Sequence, residues 1–166
     1  MHFANFDKNV LLSGGWDNNV FLWDVRTYKP IGNFYGPSIC GDCIDTLEDG
    51  TILTGSYRDS NQLELWDFKT MKCRKHILWN GSENCEIACV YTTAFNNVKD
   101  GDDRLILGGC SRLNEVKLFN QRRDWLPCAT IPMKSGVYSV DFANHSNLFA
   151  FGGMDKKVYL MNVRNR

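Results

Sequence analysis

The chain has 166 residues, about one domain's worth, and its 19 Lys and Arg balance 19 Asp and Glu to a net charge of zero. That balance makes nucleic acid an unexpected partner, and 43% apolar with 13% aromatic residues, 14 Gly and 4 Pro exclude disordered, collagen-like and low-complexity chains. Apolar runs such as Leu148 to Phe151 fall far short of the roughly 20 residues a membrane-spanning helix needs, and Met1-His2-Phe3-Ala4-Asn5 lacks the basic start and apolar core of a secretory signal.

In chain order, Met1 to Asp7 enters at the end of a strand. Val10 to Gly15 is an apolar run closing on two small residues, and the stretch from Val20 to Trp23 and then Pro30 to Tyr35 follow across polar turns. The same succession recurs through Thr54-Gly55-Ser56 to Leu63-Glu64-Leu65-Trp66-Asp67. It recurs again through Leu107-Gly108-Gly109 to Val116-Lys117-Leu118-Phe119-Asn120, after a polar insertion at Asn96 to Asp103. A last copy runs from Gly136 to Phe142 through Gly152-Gly153-Met154-Asp155 to Val158-Tyr159-Leu160-Met161-Asn162. No segment has a sustained helical period, so each copy reads as four short strands.

The small residues at the centre of each copy fall at Gly14, Gly55, Gly108 and Gly152, spaced by 41, 53 and 44 residues. Stacking the third strands in columns gives an aliphatic residue first (Val20, Leu63, Val116, Val158) and third (Leu22, Leu65, Leu118, Leu160). The fourth position is bulky: Trp23, Trp66, Phe119, Met161. A strand with an aliphatic row on one face and a large apolar residue on the other is packed on both sides, as when sheets stack face to face around an axis. The small pairs would admit close backbone approach between sheets.

The Gly/Ser pair, the polar turn and the Leu-Trp-Asp ending, repeated about every 44 residues, resemble WD40 repeats, the blades of G-beta-like propellers. The resemblance implies an all-β propeller of four four-stranded blades, approximately residues 1–36, 37–82, 83–133 and 134–166, forming an incomplete ring. It also implies a buried hydrogen-bonded set, which maps onto Trp23, Ser13 and Asp17 in the first blade and Trp66 and Thr54 in the second. The histidine of that set is missing, because His2, His76 and His145 lie elsewhere. Propellers of this family usually have seven blades, and the chain ends after a third strand. The expectation is therefore the C-terminal half of a larger propeller, whose missing blades come from a longer chain or a second copy.

Chemistry beyond packing finds little support in the sequence. Cys40-Gly41-Asp42-Cys43 with Cys85 and Cys89 could in arithmetic supply four zinc ligands, but buried inner-strand thiols are the expectation, with no metal and no cofactor. Seven cysteines, mostly beside apolar residues, suit a reducing compartment, and a cytoplasmic setting, with cytoskeletal association as one variant, is expected. No nucleophile and base stand together, so no enzyme activity is expected.

Two surfaces are candidates for partners. The turns between second and third strands carry Trp16, Tyr57, Arg58, Arg112 and Met154, a composition typical of binding hot spots. On the opposite face the outer turns hold Arg26, Lys29, Lys69, Lys72, Arg74, Lys75, Arg122, Arg123, Arg164 and Arg166, around inner turns bearing Asp7, Glu48, Asp49, Asp100, Asp102 and Asp103. Lys72, Arg74 and Lys75 would favour an acidic partner. The expected function is a protein-interaction scaffold in a multiprotein assembly, cytoskeletal or ciliary among the settings. The alternative is a substrate-targeting subunit of an enzyme complex such as a ubiquitin ligase.

Overall fold

The computed structural model describes residues 1–81, 88–96, 104–144 and 146–163. They form four antiparallel sheets, each built from strands consecutive in sequence. Blade one contains β1 (His2–Phe3), β2 (Val10–Gly14), β3 (Asn19–Asp24) and β4 (Lys29–Tyr35), and blade two β5 (Ile44–Thr46), β6 (Thr51–Gly55), β7 (Leu63–Asp67) and β8 (Lys72–Ile77). Blade three contains β9 (Val90–Phe95), β10 (Leu105–Cys110), β11 (Glu115–Asn120) and β12 (Leu126–Pro132). Blade four has three strands, β13 (Val137–Phe142), β14 (Leu148–Gly153) and β15 (Val158–Asn162). Within a blade the strands are called a to d from the inside outward. The fold is thus an incomplete β-propeller, and its last sheet lacks a fourth strand among the described residues. No helix among those residues is long and apolar enough to cross a membrane.

Adjacent blades pack face to face in a fixed sense. The aliphatic row of strand c points at the following blade: Val20 and Leu22, Leu63 and Leu65, and Val116 and Leu118 are all buried. The bulky fourth residue points back, so Trp66 stacks on Phe34 of blade one, with ring centroids 4.3 Å apart, and Phe119 meets Trp79 at 5.5 Å. Polar contacts cross the same seams. Asp45 of blade two accepts the Phe95 amide of blade three at 2.7 Å and lies 3.4 Å from His2 Nε2 of blade one. Burial nonetheless raises the carboxyl's pKa, although the Phe95 amide and His2 oppose the rise.

The glycines do admit close approach, with one correction to the alignment. Cross-strand pairing sets Gly14 opposite Val20, Gly55 opposite Leu63 and Gly152 opposite Val158, but Val116 faces Gly109. Gly109, not Gly108, is the third member of the column; two successive glycines in blade three hide the one-residue offset. A Cβ on Gly55 would lie 2.7 Å from Thr93 Cγ2 and 2.8 Å from Val90 Cγ1, both in blade three. On Gly109 it would lie 2.7 Å from Thr92 Cγ2 within the blade and 2.8 Å from Val137 Cγ1 in blade four.

In each of the three complete blades strand d carries one extra residue, which shifts the pairing register between the third and fourth positions of strand c. Trp23 therefore pairs with Pro30, Trp66 with Cys73 and Phe119 with Pro127. Such bulges bend and twist the outer strand.

Candidate protein-interaction surface

The turns are shaped by short polar side chains that satisfy nearby backbone amides. Asp7 Oδ1 accepts the Asn9 amide at 2.9 Å and Asp49 Oδ1 that of Thr51 at 2.9 Å, in the a–b turns. In the b–c turns Asp17 Oδ1 accepts from Asn19 at 3.3 Å and Asp155 Oδ1 from Lys157 at 3.2 Å. At the end of strand c, Asp67 Oδ1 accepts the Thr70 amide and Asn120 Oδ1 the Arg122 amide, at 2.7 and 2.8 Å. The b–c turns close on Asn18, Asn61, Asn114 and Lys156, all with positive φ, where asparagine is tolerated better than most residues.

The internal hydrogen-bonded set is present in part. Trp23 Nε1 donates to Ser13 Oγ at 2.8 Å and Trp66 Nε1 to Thr54 Oγ1 at 3.0 Å. Asp17 serves its own exposed turn. Across the seam between blades two and three an indole bond takes another form: Trp79 Nε1 of blade two donates to Glu115 Oε1 of blade three at 2.6 Å, and the buried Lys117 ammonium pairs with Glu115 and lies over the Trp79 ring.

Above this frame the b–c turns present large side chains. Trp16 is 66% exposed, and its ring centroid lies 5.8 Å from that of Tyr57, itself 36% exposed, so one aromatic pair bridges blades one and two. Met154 is 65% exposed in blade four, and Arg112 is exposed in blade three. Arg58 does something else. Its guanidinium turns inward to donate to Gly36 O of blade one and Asn61 O, and it pairs with the buried Glu64 carboxylate at 2.7 Å. It ties blade two to blade one beneath the aromatic pair.

On the opposite face part of the basic rim is neutralised locally. Arg26 pairs with Asp24 at 2.7 Å, Arg74 with Asp67, and Lys75 with Asp124 of blade three. The Arg26 guanidinium holds the Asp24 carboxyl down at a pKa of about 2. Lys72 is exposed. Arg104 crosses between blades to Asp49 at 2.7 Å. Arg164, Arg166, Asp100, Asp102, Asp103, His145 and Cys85 lie outside the described residues. Burial pushes the Cys43 thiol far up, which suits an inert buried thiol.

Repeated four-stranded sheets, inter-blade glycines, indole–hydroxyl bonds and aspartate-shaped turns define a propeller of non-identical repeats. Residues 4–24 and 125–162 match the family model described as "WD domain, G-beta repeat". It is 25% identical to the histone acetyltransferase type B subunit 2 of Candida glabrata, over 96% of this chain and 38% of that protein. It is 27% identical to the DDB1- and CUL4-associated factor 11 homolog of Caenorhabditis briggsae, over 43% of this chain and 14% of that protein. The chain thus spans well under two thirds of the curated relatives it matches.

Proposed function

We propose that this chain is a non-catalytic module that holds other proteins in a multiprotein assembly, docking them on its b–c turn face. The observation that carries this reading is the exposed Trp16–Tyr57 pair, a rigid aromatic anchor of the kind that dominates interface energetics. Met154 and Arg112 extend the same face, and the half-buried Arg58 clamp holds its turn in place. A photo-crosslinking residue placed at position 16, 57 or 72 in cells tests it. Proteins captured from 16 and 57 but not from 72 are expected; the same captures from 72, or none from 16 and 57, would count against the surface.

A second reading is favoured by the names of the relatives: a subunit working beside an enzyme, as with a substrate-targeting subunit. One relative is named as a subunit of an acetyltransferase and the other for association with DDB1 and CUL4. A cytoskeletal or ciliary setting gains no support from either name. Docking of an acidic partner on Lys72, Arg74 and Lys75 is weakened by the pairing of Arg74 and Lys75. A cytoplasmic location fits a chain rich in free thiols.

Further blades belong to the same reading. Val158 and Leu160 continue the column that is buried in blades one to three, yet they are 82% and 67% exposed. They offer a following blade, from a longer chain or a second copy, the face that the first three blades bury.

A further inference from the structure

The rim of the seam between blades one and two holds a side-chain group that the interaction surface does not use. Glu64, in β7, is buried and stands opposite His76 in β8, while Cys73 stands opposite Trp66, two residues along from Glu64. Glu64 Oε1 lies 3.1 Å from His76 Nδ1, and Cys73 Sγ lies 3.9 Å from both nitrogens of the same ring. One donor atom from each residue fits within a 4.8 Å cluster.

Cys73 and His76 are three apart on a strand, so strict alternation would send them to opposite faces of the sheet. The extra residue in β8, Arg74, corrects the parity and places both beside Glu64. The equivalent positions carry no such set in the other complete blades. Blade one has Phe21, Pro30 and Asn33 there, and blade three has Lys117, Pro127 and Thr130. Only blade two among them combines a carboxylate, a thiol and an imidazole.

We propose that Glu64, Cys73 and His76 form a binding site for a thiophilic divalent cation, of which Zn²⁺ is the best match. Carboxylate oxygen, thiolate sulfur and imidazole nitrogen are the donors zinc takes, and with His76 exposed, water would be at hand as a fourth ligand. Tetrahedral zinc needs donors about 3.3 to 3.7 Å apart, within a small rotamer adjustment of the spacing here. Arg58 supports the site. It lies 2.7 Å from Glu64 Oε2 and leaves Oε1 turned towards His76, so the carboxylate is held for one-oxygen ligation. Binding replaces the His76–Glu64 contact and releases the Cys73 proton to solvent.

The test is a Co²⁺ titration of the reduced 166-residue chain, reading the near-ultraviolet thiolate-to-cobalt absorption and its displacement by Zn²⁺. The expected result is saturation at one equivalent, absorption lost in Cys73→Ser, affinity lowered at least about tenfold in His76→Gln, and no change in Cys40→Ser. His76 is exposed, so His76→Gln preserves the fold and keeps the test decisive should Cys73→Ser misfold. Absence of the absorption from the folded wild type, its survival in Cys73→Ser, or an affinity unmoved by His76→Gln would overturn the site.

Discussion

At the residue scale, two indole–hydroxyl bonds of the same kind sit in different surroundings, and that difference sets their expected energetic weight. Thr54 and Trp66 are buried, so Thr54→Val strands an indole N–H away from water and should cost about 1–3 kcal/mol in urea unfolding. Ser13→Ala should cost less, about 0.5–1.5 kcal/mol, because Trp23 is only half-buried and water can replace the hydroxyl. Glu64 gives a pH signature. Burial raises its pKa above the ordinary glutamate value, with Arg58 and His76 opposing, so the folded chain binds this proton more tightly than the unfolded one. Stability from this group is highest below the ordinary glutamate pKa and declines as pH rises from there through the raised one. Glu64→Gln, compared with wild type in the presence of chelator, should flatten that acid-side slope; an unchanged slope would show that Glu64 titrates as in the unfolded chain. The resemblance to WD40 repeats implies a hydrogen-bonded set at Trp23, Ser13, Trp66 and Thr54, and the structure has the Trp23–Ser13 and Trp66–Thr54 bonds. The sequence reading has Arg58 among the partner-binding side chains of the b–c turns, since nothing in a turn sequence shows that the guanidinium folds back to a carboxylate six residues on.

At the scale of the element, the strands were legible from alternation and the turns from their Asp, Asn and Gly residues, which the backbone hydrogen bonds explain. Two features were not legible. The glycine column in blade three was displaced by one residue because Gly108 and Gly109 look alike in sequence and only cross-strand pairing tells them apart. The extra residue has no signature common to the three strands d: Pro30 and Pro127 precede it in blades one and three, but Cys73 does so in blade two. Hence the neighbourhood of Cys73, His76 and Glu64 was invisible to a period-of-two reading. The seam glycines carry a direct prediction. Gly55→Ala forces a methyl group against Thr93 and Val90 and should destabilise by about 1–3 kcal/mol, whereas Gly15→Ala, whose nearest neighbour is Asp17 Oδ1 at 3.7 Å, should stay within about 0.5 kcal/mol. Equal effects at the two positions in thermal unfolding would remove close inter-blade approach as the reason for the glycine at 55.

At the scale of the whole molecule, three seams between four blades share one geometry, and the column that fills each seam stands open on blade four. Repeat arrays gain their stability from such stacked faces, so an uncovered one invites a further blade or a second molecule. The propeller class was readable from the repeat itself, while the partner is not encoded in any repeat and enters only through the irregular b–c turns. The most direct test of the account is the solution molar mass of the 166-residue chain by light scattering, beside the double variant Val158→Glu, Leu160→Lys. Wild type should self-associate with rising concentration and the variant should scatter as a monomer with its unfolding transition retained. A wild-type chain that stays a cooperatively unfolding monomer at high concentration would contradict the claim that blade four presents a face built to be covered.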